Sequence, residues 1–154
     1  MCPADPVAPE RLPGGTAPGG LVVVVPCYNE ADRLDGAAFQ AYARSAGDVR
    51  FIFVNDGSTD ATLAVLRALR GDDPDRISVV DARVNRGKGE AVRAGVLAAL
   101  EAGADYVAYW DADLATPLAA IDDLRRVLAE RPAVDLVMGS RVQLLGRTIR
   151  RRPA

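Results

Sequence analysis

At 154 residues, 49% hydrophobic and 26% charged, the chain has the length and balance of one globular domain with a single core, which excludes a fibrous or wholly disordered polypeptide. A net charge of -2 gives the surface no general pull on nucleic acid, so no nucleic-acid partner is expected. Histidine is absent and cysteine occurs only as Cys2 and Cys27, which removes Ser-His-Asp and Cys-His nucleophiles, the commonest zinc ligand and a disulfide scaffold, and suits a reducing cytoplasm.

Residues 1–20 are rich in Pro and Gly without an apolar period and read as a flexible leader. Nothing approaches the roughly eighteen apolar residues of a membrane span, and no signal peptide opens the chain, so a soluble protein is expected. From Leu21 onward, short β-branched runs predict strands at Leu21–Val25, Arg50–Val54, Ile77–Val80, Tyr106–Trp110 and Val134–Met138, at intervals of 26 to 30 residues, the spacing of βαβ units. The runs are continuous rather than alternating, as strands covered on both faces of a parallel sheet require. Between them, Asp32–Ala46 is a weak helix pattern interrupted by Gly36. The stretch from Thr59 places Leu63, Leu66 and Leu69 on one stripe, and the stretch from Lys88 does the same with Val92, Val96, Leu97 and Leu100. A last stripe runs through Leu118, Ile121, Leu124 and Leu128. The expected fold is α/β, a single doubly wound domain on a mainly parallel sheet. Right-handed crossovers put every strand-to-helix loop at the carboxyl edge, where such folds bind ligands.

The polar motifs fall in those loops. They are Pro26-Cys27-Tyr28-Asn29-Glu30, Asn55-Asp56-Gly57-Ser58-Thr59-Asp60, Asn85-Arg86-Gly87-Lys88-Gly89 and Asp111-Ala112-Asp113. Taken singly, each has a plain structural explanation as a turn or helix cap. The pair Asp111 and Asp113 is the most telling: two carboxylates at a strand end repel unless a cation joins them or water hydrates them. Their oxygens suit Mg²⁺ or Mn²⁺, with diphosphate oxygens completing the shell. Arg86 and Lys88 bring positive charge one loop away, and Lys88 is expected to begin a helix whose N-terminal end favours anions. A Walker A loop is excluded by Ala82 and Gly89, and a dinucleotide fingerprint by Val92. The basic tail, Arg141, Arg147 and Arg150 to Arg152, is open between a solvated helix face and a phosphate-meeting patch.

Together with Gly139-Ser140-Arg141, these motifs resemble the family 2 glycosyltransferases of the GT-A fold over residues 21–146, and most of all the polyprenyl-phosphate and dolichyl-phosphate glucosyl- and mannosyltransferases. The resemblance implies that Pro26, Tyr28, Glu30 and Asp56 bracket the base and ribose of a nucleotide sugar, with Val54 counted among the donor-binding positions. It implies that Asp111, Ala112 and Asp113 hold the metal and the sugar diphosphate, and that Arg86 and Lys88 line the same pocket. Arg141 would meet the diphosphate or the acceptor phosphate. The run Asp113-Leu114-Ala115-Thr116-Pro117 is more similar to the glucosyl branch, so the implied donor is UDP-glucose before GDP-mannose. The implied acceptor is a polyprenyl phosphate at a membrane surface, and the implied reaction an inverting displacement at the cytoplasmic face. A homo-oligomer stays open.

Asn55 stands where many relatives have a second Asp, and Ala115 offers no side-chain oxygen near the metal. Residues 147–154 read as the basic start of an acceptor-side segment that relatives continue. Two other readings are a nucleotide-sugar-binding fragment without catalysis and a haloacid dehalogenase-type phosphatase, which also carries an Asp-x-Asp pair.

Overall fold

The computed structural model describes residues 20–140. The described residues form two compact units, one running to Leu114 and one from Ala115. The first contains a four-stranded parallel sheet: β1 (Leu21–Cys27), β2 (Val49–Asn55), β3 (Ile77–Asp81) and β4 (Tyr106–Tyr109), in the order β3-β2-β1-β4. Helices α1 (Gly36–Ala46), α2 (Thr62–Asp72) and α3 (Lys88–Glu101) connect them. β1 pairs with β2 from Leu21 opposite Val49 to Cys27 opposite Asn55, and with β4 only as far as Val24 opposite Tyr109.

The apolar runs of β1 and β2 are buried almost throughout, because each alternate residue meets a helix on its own side of the sheet. On one face Phe51 and Phe53 pack edge-on against Phe39 of α1, at centroid distances of 5.2 Å for both pairs. On the other, Val22, Val24, Ile52, Val54 and Val80 pack with Ala91, Ala98 and Ala99 of α3. Helices on both faces make the sheet doubly wound, as the apolar runs predict.

Three details differ from the sequence expectations. The predicted α3 stripe holds only in part: Val96 packs at the edge of the core, but Leu97 and Leu100 are exposed, and the buried face is Ala91, Gly95, Ala98 and Ala99. Small residues win because the helix lies so close to the sheet that a Cβ on Gly95 would collide with the Val24 side chain. β4 is an edge strand with Tyr106 and Tyr109 exposed rather than a strand covered on both faces. Val134–Met138, expected as a fifth strand, forms no strand, and Leu136 and Met138 are exposed. An apolar run makes a strand only where a neighbour takes up its backbone hydrogen bonds.

From Ala115, the second unit contains α4 (Ala120–Glu130), with Ile121 buried and Asp122 and Asp123 in its first turn, where the helix dipole favours acids. No helix among the described residues is long and apolar enough to cross a membrane.

Candidate functional site

The strand order reverses between β1 and β4: the chain moves outward from β1 to β3 and then returns to the other side of β1. A crevice opens at the carboxyl ends of two such strands, because their loops leave in opposite directions. A cavity of about 440 Å³ lies there, within the first unit. Its wall takes residues from all four strand-end loops: Pro26, Cys27, Tyr28, Glu30 and Arg33 after β1, Asp56 after β2, Asn85, Gly87 and Lys88 after β3, and Asp111, Ala112 and Asp113 after β4.

The position of Pro26 follows from the ladder. Val24 O accepts from Trp110 N on the β4 side at 2.8 Å, and Cys27 O accepts from Asp56 N on the β2 side at 2.9 Å. In a parallel strand, alternate residues face the same neighbour. The N–H that Pro26 lacks would therefore face β4 beyond its end at Tyr109, where no ladder bond is lost.

The motif Asp56 to Asp60 acts mainly as a clasp between loops. Asn29 N donates to Ser58 Oγ at 3.1 Å, and Thr59 N donates back to Asn29 Oδ1 at 2.9 Å. Asn29 adopts φ 52°, a left-handed conformation that Asn tolerates better than most residues. Ala31 N donates to Asp60 Oδ2 at 3.2 Å. Glu30 N donates to Thr62 Oγ1 at 2.8 Å, and that hydroxyl in turn donates to Asp60 Oδ1 at 2.5 Å. These bonds fix the backbone of Glu30 at the cavity wall. Glu30 Oε1 accepts from Arg33 at 2.7 Å, while its buried Oε2 has no hydrogen-bond partner.

Asp56 is 3% exposed, and its two oxygens accept from Arg86 N and Gly87 N, both at 2.9 Å. Gly87 N also donates to Asn85 Oδ1 at 3.0 Å. Asp56 thus takes up two amides ahead of α3 that an anion would otherwise use, leaving positive charge at this corner to the Lys88 ammonium and the start of the helix. Gly87 takes φ 92°, and Lys88 is the first residue of α3, as the sequence predicts.

Lys88 Nζ lies 2.5 Å from Asp111 Oδ1 and 5.6 Å from the ring centre of Tyr109. Beside the cavity, burial first and the Glu30 charge second push the Cys27 thiol up to about 12, so it is an inert wall residue rather than a nucleophile.

Of the residues singled out from sequence, Pro26, Tyr28, Glu30, Asp56, Lys88, Asp111, Ala112 and Asp113 meet around this one cavity. Val54 does not reach it; it is fully buried in the core beneath α3. The backbone amide of Arg86 binds Asp56, but Arg86 is not among the residues of the cavity wall. Arg141, the 1–19 part of the leader and the basic segment 147–154 lie outside the described residues. The sequence reading did not assign Cys27, Arg33, Asn85 or Gly87 to the wall, although all but Arg33 lie within its motifs. Arg33 lies in an irregular turn after Glu30 and carries no periodic signal, though its spacing of three from Glu30 could have suggested the pair.

Among the described residues, no three carboxylate, thiolate or imidazole groups converge on one point. A cation here would rest on Asp111 and Asp113 and need ligand oxygens for the rest of its shell, a donor set that fits Mg²⁺ or Mn²⁺ with a diphosphate. That Asp111 already binds a cationic ammonium shows that the position accepts positive charge.

A parallel α/β sheet wound by helices on both faces, with a polar cavity at its switch point, is the architecture of the GT-A fold. The sequence profile of Glycosyl transferase family 2 matches residues 22–153, and the chain belongs to that family. It is similar to a dolichyl-phosphate beta-glucosyltransferase of Drosophila melanogaster, 38% identical over 119 residues covering 71% of this chain and 36% of the relative. A polyprenol monophosphomannose synthase of Mycolicibacterium smegmatis is 33% identical over 133 residues, 86% of this chain and 48% of the relative. Among solved structures, a mannosyltransferase from Pyrobaculum calidifontis in complex with GDP-Man and Mn²⁺ matches with a TM-score of 0.59 and 26% identity, over 78% of this chain and 35% of that one. The chain spans between about a third and a half of the length of these relatives. Membership of this family sets aside the phosphatase reading of the Asp-x-Asp pair.

Proposed function

We propose that this chain binds a nucleotide sugar, UDP-glucose before GDP-mannose, through Mg²⁺ or Mn²⁺, and supplies the donor side of an inverting hexosyl transfer to a polyprenyl phosphate at the cytoplasmic face of a membrane. The observation that carries the reading is the convergence of Asp111, Asp113 and Lys88 on the same cavity as Tyr28 and Glu30. Asp111, Asp113 and Lys88 suit a diphosphate with its cation, and Tyr28 and Glu30 suit a base and its hydroxyl or N–H donors.

Tyr28, 45% exposed at the wall, offers a face for the base. A small turn of the Glu30 side chain would let its carboxylate accept from a ribose hydroxyl or base N–H, supplying the bond that Oε2 lacks. Asp111 and Asp113 would hold the cation, which when bound neutralises charge on the departing diphosphate. Lys88 meets a phosphate oxygen of the same group. The attacking oxygen belongs to a phosphate monoester, already largely dianionic near neutral pH given a second pKa of about 6, so no protein base is needed. That matches a chain without histidine. Arg141 is the residue proposed to meet the diphosphate or the incoming phosphate. The glucosyl preference is supported by the Asp113 to Pro117 run and by similarity to the Drosophila enzyme.

Calorimetric titration with UDP-glucose and GDP-mannose, with and without Mn²⁺, tests the donor site, and sugar transfer to a polyprenyl phosphate tests the reaction. Metal-dependent binding that vanishes in Asp113→Ala, with circular dichroism unchanged, is expected. Unaltered affinity in that variant sinks the site. Binding without transfer limits the chain to a donor-binding role.

A further inference from the structure

Lys88 holds one oxygen of a carboxylate that the proposed function assigns to a divalent ion. Its Nζ is 2.5 Å from Asp111 Oδ1, with Tyr109 as a second support at 5.6 Å. A metal bound by the same carboxylate would lie within a few ångströms of that ammonium. Two such cations at about 4 Å repel by about 1 kcal/mol per unit charge product in water, and more near a protein surface. Sharing Asp111 between the two is therefore disfavoured. The lysine stem is a flexible four-carbon chain with a point charge at its tip, able to change partner without moving the backbone. Its side chain is 57% exposed and that of Asp111 43%, so neither is locked by packing.

We propose that Lys88 is an exchangeable internal counter-ion: it neutralises Asp111 when no ligand is bound and gives up that place to the metal when a nucleoside diphosphate draws its ammonium onto a phosphate oxygen. The inference rests on the reading of Asp111 and Asp113 as the metal-binding pair. Its consequence is an order of events: metal alone must compete with Lys88, while metal arriving with diphosphate need not. Lys88 therefore couples the two ligands, so that each binds poorly without the other. The exchange moves no proton and breaks no covalent bond.

The test is Mn²⁺ binding, followed by the paramagnetic resonance signal of the free ion, for the wild-type chain, Lys88→Met and Lys88→Arg, each without nucleotide and with saturating UDP. Without UDP, Lys88→Met should bind Mn²⁺ about fivefold more tightly than wild type, the scale of losing an exposed ion-pair competitor; Lys88→Arg should stay near wild type. With UDP the gain should disappear, so that the enhancement of Mn²⁺ binding by UDP falls about fivefold in Lys88→Met. Equal or weaker binding of Mn²⁺ alone by Lys88→Met overturns the proposal. An equal gain with and without UDP also overturns it, since that is the mark of a general change in charge. If wild type takes up no Mn²⁺ even with UDP, or Asp113→Ala takes it up undiminished, the metal-site reading itself fails and this proposal with it.

Discussion

Thr62 is completely buried, yet its hydroxyl carries two hydrogen bonds: it accepts from Glu30 N and donates to Asp60. It is the bolt of the clasp between the first two strand-end loops. Thr62→Val keeps the shape but leaves the Glu30 amide without its acceptor, a loss of about 2 kcal/mol by the usual cost of an orphaned buried donor. Urea unfolding should show a lower midpoint, and nucleotide affinity should fall because Glu30 loses its anchor. The same hydroxyl, first among several donors, holds the Asp60 carboxyl below its ordinary value of 3.8. A depressed carboxylate pKa stabilises the fold above the unfolded value, and the contribution disappears as pH falls through the folded one. The acid limb of the stability curve below pH 3.8 should therefore be shallower in Thr62→Val.

At the scale of elements, the placement of α3 decides most. It carries Lys88 at its first turn, and its distance from the sheet determines how far Lys88 reaches over the cavity. That distance depends on Gly95, whose missing side chain lets the helix approach Val24 and Val54. In Gly95→Ala the gain in helix propensity, about 1 kcal/mol, is outweighed by overpacking against a central strand, which costs up to about 3 kcal/mol. A net destabilisation of about 2 kcal/mol is expected by thermal or urea unfolding. Leu97→Ala on the exposed flank should change stability by less than about 0.5 kcal/mol. The opposite ranking would mean that the leucine stripe, and not the small-residue face, meets the sheet.

Over the whole molecule, the cavity draws on every strand-end loop of the parallel sheet, so filling it should stabilise the fold as a unit. UDP with Mn²⁺ at about 100 times its dissociation constant should add about 2.7 kcal/mol to unfolding, seen as a raised thermal midpoint that chelation of the metal reverses. No shift with either donor nucleotide would count against the cavity as the donor site.

The first four strands, the helices between them, the parallel sheet and the loops that carry the motifs were legible in the sequence, because burial on two faces and the helical period write themselves into short stretches of chain. So was the set Tyr28, Glu30, Asp56, Lys88, Asp111 and Asp113, since strand ends of one parallel sheet share an edge. Which part of each polar group is already engaged was settled only by tertiary structure. Asp56 holds the Arg86 and Gly87 amides, Lys88 pairs with Asp111, and Glu30 keeps one oxygen unpartnered. Those partners lie 23 to 31 residues apart in the pairs observed, farther than any local pattern reaches. The same limit explains why Val134–Met138 looked like a strand and Leu97 like a core residue: apolar content is local, but the neighbour that would cover it is not.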